Sequence, residues 1–119
     1  MLQIRKEQLQ VFEALKKTKF IETMEKQLKI NFPQKVGVIT SQALSLLINT
    51  TIIKLEKFNI VRECDVERYL YLMFTFSFNI DSDFEYRWIQ DILVDEVLSG
   101  DLKMKLMYQI AEQKINDYK

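Results

Sequence analysis

Apolar residues recur along this chain at helical spacing, and the pattern predicts a succession of amphipathic helices. Over residues 4–31 the apolar positions include Leu9, Phe12, Leu15, Phe20, Ile21, Met24 and Leu28, with Phe20, Met24 and Leu28 one turn apart. Lys, Glu and Gln fill the other faces, as suits a wet helical surface. Phe32-Pro33 should end this helix, because the residue before proline is pushed out of the α region. Residues 34–39, with Gly37, then read as a connector. Thr40 or Ser41 is suited to cap a second helix. Its stripe is Leu44, Leu47, Ile48, Thr51, Ile52 and Leu55, widened by Leu46 and Ile53, so it is expected to be central to a core. Phe58-Asn59 should close it, since Asn tolerates the left-handed conformation.

A third helix is expected to open at Glu63 or Asp65 and to carry Val66, Tyr69, Leu70, Met73, Phe74 and Ser77 at helical intervals. Residues 69–78 also alternate in a strand-like way toward their end. Continuous helical spacing from Val66, and the lack of a second strand to pair with, favour the helix. A polar loop over residues 79–83 leads to a shorter helix bearing Trp88, Ile89, Ile92 and Leu93 and extending toward Val97. Ser99-Gly100-Asp101 is a break, with Asp101 as N-cap of a last helix whose stripe is Met104, Met107, Tyr108, Ala111, Ile115 and Tyr118. The expected architecture is therefore all-α, a single-domain bundle of about five helices spanning residues 1–119.

Composition agrees with that pattern. The 119 residues fit one domain, and 48% hydrophobic against 29% charged is ordinary for a globular chain. Two glycines and one proline are too few for the frequent turns of an all-β domain. The first residues carry no apolar run after their charges, unlike a signal peptide. The longest apolar run, residues 69–78, falls short of the roughly 20 residues a membrane span needs. A cytoplasmic location is the expectation, with no membrane partner.

Candidate chemistry is sparse. The chain has no histidine, which removes Ser-His-Asp and Cys-His catalysis and most zinc sites. Cys64 is the single cysteine, and Glu63, Asp65 and Glu67 around it disfavour a thiolate. Asp81-Ser82-Asp83-Phe84-Glu85 opens like a calcium loop, but Tyr86 and Ile92 stand where that loop needs Gly and Glu. No paired carboxylates stand out, and two isolated glycines make no phosphate loop. Neither enzyme activity nor a cofactor nor a metal is expected.

Net charge is zero but unevenly spread. Residues 1–35 hold eight basic against four acidic side chains, a net of +4, whereas residues 81–101 hold Arg87 against seven acids, a net of −6. These segments either attract each other within the fold, stay solvated, or leave the acids facing a basic partner. Lys16-Lys17 and Lys19 form too short a patch, in a neutral chain of pI near 6.3, for a nucleic-acid binder.

Eight Phe, five Tyr and one Trp are many for so small a core. Phe12, Phe20, Tyr69, Phe74 and Trp88 lie on apolar stripes and are assigned to it. Tyr71, Phe76, Phe78, Phe84 and Tyr86 are harder to bury together. With Asp81, Asp83 and Glu85 they form the candidate partner-binding surface, since aromatic residues anchor interfaces. A homodimer contact would use the same kind of surface.

Several blocks also carry a family likeness. They are Ile4-Arg5-Lys6-Glu7-Gln8 with Phe12; Phe20, Met24, Leu28 and Phe32-Pro33; residues 64–74, from Cys64-Asp65-Val66 to Leu72-Met73-Phe74; Phe78-Asn79-Ile80-Asp81; and Trp88-Ile89-Gln90-Asp91-Ile92-Leu93. Together they resemble small, largely uncharacterised helical bacterial proteins associated with contractile injection (type VI secretion) and polymorphic-toxin effectors, over most of the chain up to about Leu98. That group often has a Gly-Pro-like turn near residues 78–81 and a proline before the Trp, where this chain has Ser77-Phe78-Asn79 and Arg87. The resemblance implies a non-enzymatic accessory role and transfers no site residues. Such an accessory would be an adaptor or chaperone-like protein binding a secreted effector or spike component, or an immunity protein neutralising a toxin. An enzyme working with carboxylates alone is the weaker third reading.

Overall fold

The computed structural model describes residues 2–117, with side chains from residue 16 onward; of the expected stripes, Tyr118 and the side chains of Leu9, Phe12 and Leu15 lie outside what is described. The chain is all-α. Its helices are α1 (Leu2–Asn31), α2 (Pro33–Gly37), α3 (Ser41–Glu56), α4 (Glu63–Thr75), α5 (Arg87–Leu93), preceded by a single 3₁₀ turn at Phe84–Tyr86, and α6 (Gly100–Asp117). No strand occurs among the described residues, and the alternating stretch that begins at Tyr69 is helical as far as Thr75. The chain divides into two compact units, Met1–Asn49 and Thr50–Lys119, the division falling within α3.

In the first unit, Met24 and Leu28 of α1, Val36 of α2, and Leu44 and Ile48 of α3 are buried. Phe20, expected in the core, is half-buried. The expected connector holds a helix instead. Pro33 occupies the first position of α2, where its missing N–H costs nothing, and the Phe32 carbonyl accepts the Val36 N–H at 3.0 Å. Thr40 caps α3 as its sequence suggests: its hydroxyl accepts the Ala43 N–H at 3.1 Å and its carbonyl the Leu44 N–H at 2.9 Å.

The second unit is built on α4. Val66, Tyr69, Leu70, Leu72, Met73 and Phe74 are all buried, so this helix, apolar around most of its girth, takes the central place. The sequence pattern had pointed to α3, but Leu46 and Ile53 of α3 are 65% and 47% exposed. Helix α6 packs on both α4 and α5, burying Met104, Met107 and Ala111. Ile89, Ile92 and Leu93 of α5 complete the apolar interior, with Ile80, a buried residue inside the loop read as polar. In the first turn of α4, Asp65 is buried, with Oδ2 3.6 Å from Arg62 Nε and Oδ1 3.7 Å from Arg68 Nη1. The helix N-terminus and the two guanidinium groups offset part of the cost of desolvating its charge, while Oδ1 has no hydrogen-bond partner among the described residues.

Helix ends depart from expectation where side chains take over backbone bonds. Helix α4 stops at Thr75 and does not include Ser77, whose hydroxyl accepts the Asn79 N–H at 3.1 Å. Helix α5 ends at Leu93 and does not extend to Val97, because Asp95 Oδ1 accepts from the Val97 and Leu98 N–H groups at 2.8 and 3.2 Å. Helix α6 begins at Gly100, one residue ahead of the expected cap. Asp101 lies in its first turn and accepts the Ser99 hydroxyl at 2.6 Å, a bond that holds the Asp101 carboxyl below its ordinary range.

The close of α3 follows the sequence. Asn59 has φ 62°, and the turn makes both bonds of a Schellman motif: Ile60 N–H to Leu55 carbonyl at 3.0 Å and Asn59 N–H to Glu56 carbonyl at 3.2 Å. Leu55 and Ile60, which accompany those bonds, are both fully buried. The first turn of α6 docks on this motif. A Cβ on Gly100 would overlap the Asn59 carbonyl oxygen and lie 3.2 Å from Ile60 Cα, so only glycine permits the approach. One turn on, Lys103 is 2% exposed, and its ammonium donates to the Phe58 and Leu93 carbonyls, each at 2.8 Å. No carboxylate pairs with it among the described residues. Two charge-assisted bonds of about 1.5–3 kcal/mol each, at the negative ends of α3 and α5, match the several kcal/mol that burying an ammonium costs.

Lys103→Met should therefore lower unfolding free energy by about 2–4 kcal/mol, because two buried carbonyls lose their donor. Gly100→Ala should lower it by about 1–3 kcal/mol through overpacking. Both act on one turn, so urea denaturation of the double variant should show a loss smaller than the sum. At the motif itself, Asn59→Ala should cost up to about 1 kcal/mol, since alanine lacks the short polar side chain that lets Asn tolerate the left-handed conformation, while Asn59→Gly should keep or raise the urea midpoint of the parent chain.

Candidate interaction surface

The surplus aromatics separate into layers. Phe74 is fully buried, and Phe78, 39% exposed, meets it edge-on with centroids 4.9 Å apart. Phe76, just past the end of α4, packs against Tyr86 (5.9 Å, 59° between planes) and Trp88 (5.9 Å, 83°), and Tyr86 Oη donates to the Phe76 carbonyl at 3.4 Å. All three rings are half-buried. Trp88, assigned to the core from its stripe, thus belongs to a small aromatic cluster at the edge of the unit, with the Lys114 ammonium 5.7 Å from its ring centroid.

The loop joining α4 to α5 is pinned by polar contacts. Asp81 is half-buried and paired with Lys54 at 2.8 Å. The Asp83 carboxylate caps the 3₁₀ turn by accepting the Glu85 N–H at 3.0 Å, and its carbonyl accepts from Gln90 Nε2 at 2.7 Å. Asp81 and Asp83 therefore have local structural work as well as charge. Tyr71, on α4, donates to Glu67 Oε1 at 3.1 Å and influences Tyr108 of α6. It lies along α4 beside Glu67.

What reaches solvent is narrower than the sequence surface and partly different. Phe84 is 77% exposed, with the Arg87 guanidinium carbon 5.8 Å from its ring centroid. Phe84, Arg87, Asp91 and Val94 are all exposed and fall at steps of three, four and three, so they share the solvent face of this helical run. Glu85 is exposed beside them, and beyond the helix Val97 is 93% exposed. The helix expected to extend toward Val97 stops short of it, and Val94 follows its last residue. The Asp95 turn that ends α5 leaves them outside, and the cue in the sequence was the polar pair Asp95-Glu96 set between them.

No family model, curated protein or solved structure matches this chain. Among the described residues, no helix is long and apolar enough to cross a membrane, and no group of three or more Cys, Asp or Glu side chains is placed to hold a metal ion. Exposed Cys64 has an unexpected neighbour: Arg62 donates to its Sγ at 3.2 Å, placing a positive group against a thiol whose sequence neighbours are acidic.

Two tyrosines are unsuited to an outward polar role. The Tyr69 hydroxyl is buried without a hydrogen-bond partner among the described residues, and burial, then the Asp81 charge, pushes its phenol well above the ordinary range. Tyr108 Oη donates to the Arg68 carbonyl at 2.9 Å. Burial pushes its phenol up to about 12, opposed by Arg68 and reinforced by Tyr71 and Glu67. In the unfolded chain a tyrosine ionises near pH ~10, so the Tyr108 contribution to stability is fully present below that pH and is lost as pH rises through about 12. Tyrosinate absorbance during alkaline titration should show late ionisation from Tyr108 and, later still, Tyr69, of which Tyr108→Phe removes the earlier part. That variant should also lose about 1 kcal/mol at neutral pH, for the missing bond to Arg68.

Proposed function

We propose that this chain is a non-enzymatic, protein-binding accessory of a secreted bacterial effector or of a type VI secretion component, acting as an adaptor or chaperone-like partner through the solvent face of residues 84–97. The observation that carries the reading is Phe84. A large ring stands 77% exposed at the head of a rigid, capped helical run, in line with exposed Val94 and beside exposed Glu85 and Asp91. A single exposed apolar side chain is ordinary. A phenylalanine on a fixed frame, followed by two exposed valines within one acidic segment, has the makeup of an interface anchor and its rim. The secretion context comes from the resemblance of the helical blocks described above.

The acidic excess of residues 81–101 favours a second reading, an immunity protein whose carboxylates oppose a basic toxin cleft and speed its capture. Co-expression with the effector or toxin encoded beside this chain tests both. The adaptor reading expects a complex that co-purifies and that Phe84→Ala weakens about tenfold or more. Protection of cells from the toxin by expression of this chain would establish the immunity reading in its place. Failure to form a complex with any neighbouring effector, toxin or spike protein would overturn both.

A further inference from the structure

Four exposed residues of the run from the 3₁₀ turn through α5 have an order of their own. Phe84, Arg87, Asp91 and Val94 stand on one solvent face as apolar, positive, negative, apolar, at steps of three, four and three. The spacing is symmetric about residue 89, and the charge reverses across it. Turned end for end, the stripe therefore meets its own complement. Phe84 falls opposite Val94 of the second copy and Arg87 opposite its Asp91, and a two-fold axis repeats both pairs. A parallel copy would set Arg87 against Arg87 and Asp91 against Asp91.

The charged pair is open to such a contact. Neither Arg87 nor Asp91 has an ion pair among the described residues, and the Arg87 guanidinium carbon rests 5.8 Å from the Phe84 centroid. Arg four residues ahead of Asp is the less favourable order for a pair within one helix. Nearby acids are engaged elsewhere: Asp81 with Lys54, and Asp83, Asp95 and Asp101 in hydrogen bonds inside their own turns. The stripe's own charges sum to zero, so it attracts neither a strongly basic nor a strongly acidic occupant. Its apolar ends stand uncovered, Phe84 77% and Val94 63% exposed.

We propose that this face is a self-association site, at which a second copy of the chain pairs antiparallel about residue 89. Each copy sets Phe84 on Val94 and Arg87 on Asp91 of the other. The contact spans about three helical turns. It lies at the small, transient end of interfaces, with a dissociation constant of about 100 µM. The pairing goes beyond the accessory role and does not depend on it. An effector that takes Phe84 displaces the copy, so the dimer is the partner-free state in which the anchor is covered.

Sedimentation equilibrium of the full chain, from about 10 µM to about 1 mM, reads the association directly. The expected result is a monomer–dimer equilibrium. Arg87→Asp and Asp91→Arg should each weaken it about tenfold or more, since each sets like charges opposite one another. Mixed together, the two variants should form a heterodimer within about threefold of the parent affinity, because each supplies the charge that the other lacks. Misfolded chains could not produce that gain. Phe84→Ala should weaken the dimer, whereas Leu46→Glu, at an exposed apolar residue of α3, should leave it unchanged. A parent chain that is monomeric throughout, a single charge variant that dimerises like the parent, or a mixture that stays monomeric would overturn the proposal. So would loss of the dimer in Leu46→Glu, which would place the contact on α3. If the dimer forms and no neighbouring effector binds, the accessory role falls and the pairing stands. If the effector binds a chain that never dimerises, the role stands and the pairing falls.

Discussion

The second unit depends on how three helix ends meet around one buried lysine. The carbonyl ends of α3 and α5 and the first turn of α6 converge at Phe58, Leu93 and Gly100–Lys103. Buried carbonyls at helix ends need donors, and here one ammonium serves two of them. The arrangement works only because each part permits the next. Asn59 adopts the left-handed turn that brings Phe58 and Ile60 round, Gly100 lets the α6 backbone lie against that turn, and Lys103 then reaches both carbonyls. A side chain at residue 100 would push the α6 backbone off that turn, and an apolar residue at position 103 would leave the two carbonyls without their donor.

From that junction α6 runs out against α4 and α5, and its docking accounts for the position of the aromatic cluster. Helix α4 uses its apolar girth for the interior, with Tyr69 and Phe74 fully buried, and releases Phe76 only where Thr75 ends it. Phe76 then collects Tyr86 from the 3₁₀ turn and Trp88 from α5, and Lys114 from the far part of α6 lies over the indole. The rings left over from the core are thus absorbed in a second, shallower packing layer, and Phe84 is the one that stands clear. Packing of this kind gives an exposed site a rigid floor, which lowers the entropy a partner must overcome.

The proposed binding role draws on both features. A surface that recognises a protein needs a fixed frame, an apolar anchor and a charge pattern that rejects wrong partners. The capped run from Asp83 to Leu93 supplies the frame, Phe84 the anchor, and the carboxylates of residues 81–101 the pattern. Asp81 and Asp83 serve chiefly the frame, the first through Lys54 and the second as a cap. Glu85 and Asp91 remain free of ion pairs among the described residues and available to a partner.

Periodicity was enough to find the five longer helices, though not the short α2 or the ends of α4, α5 and α6, because a 3.6-residue repeat and the scarcity of Gly and Pro are local facts. The Thr40 cap, the Pro33 boundary and the left-handed Asn59 were legible for the same reason, since each depends on one residue and its immediate neighbours. The absence of histidine likewise limits the chemistry whatever the fold. What the sequence could not decide was which apolar residues face inward. Leu46 and Val97 carry the same hydrophobic signal as Leu44 and Leu93, yet stand exposed while the others are buried. Nor did anything local distinguish Lys103 from the surface lysines around it. Its role arises from two carbonyls 45 and 10 residues away, brought together only by tertiary packing. Burial and long-range pairing belong to the whole chain, and so which of the surplus aromatic and acidic side chains reach solvent was decided by the fold.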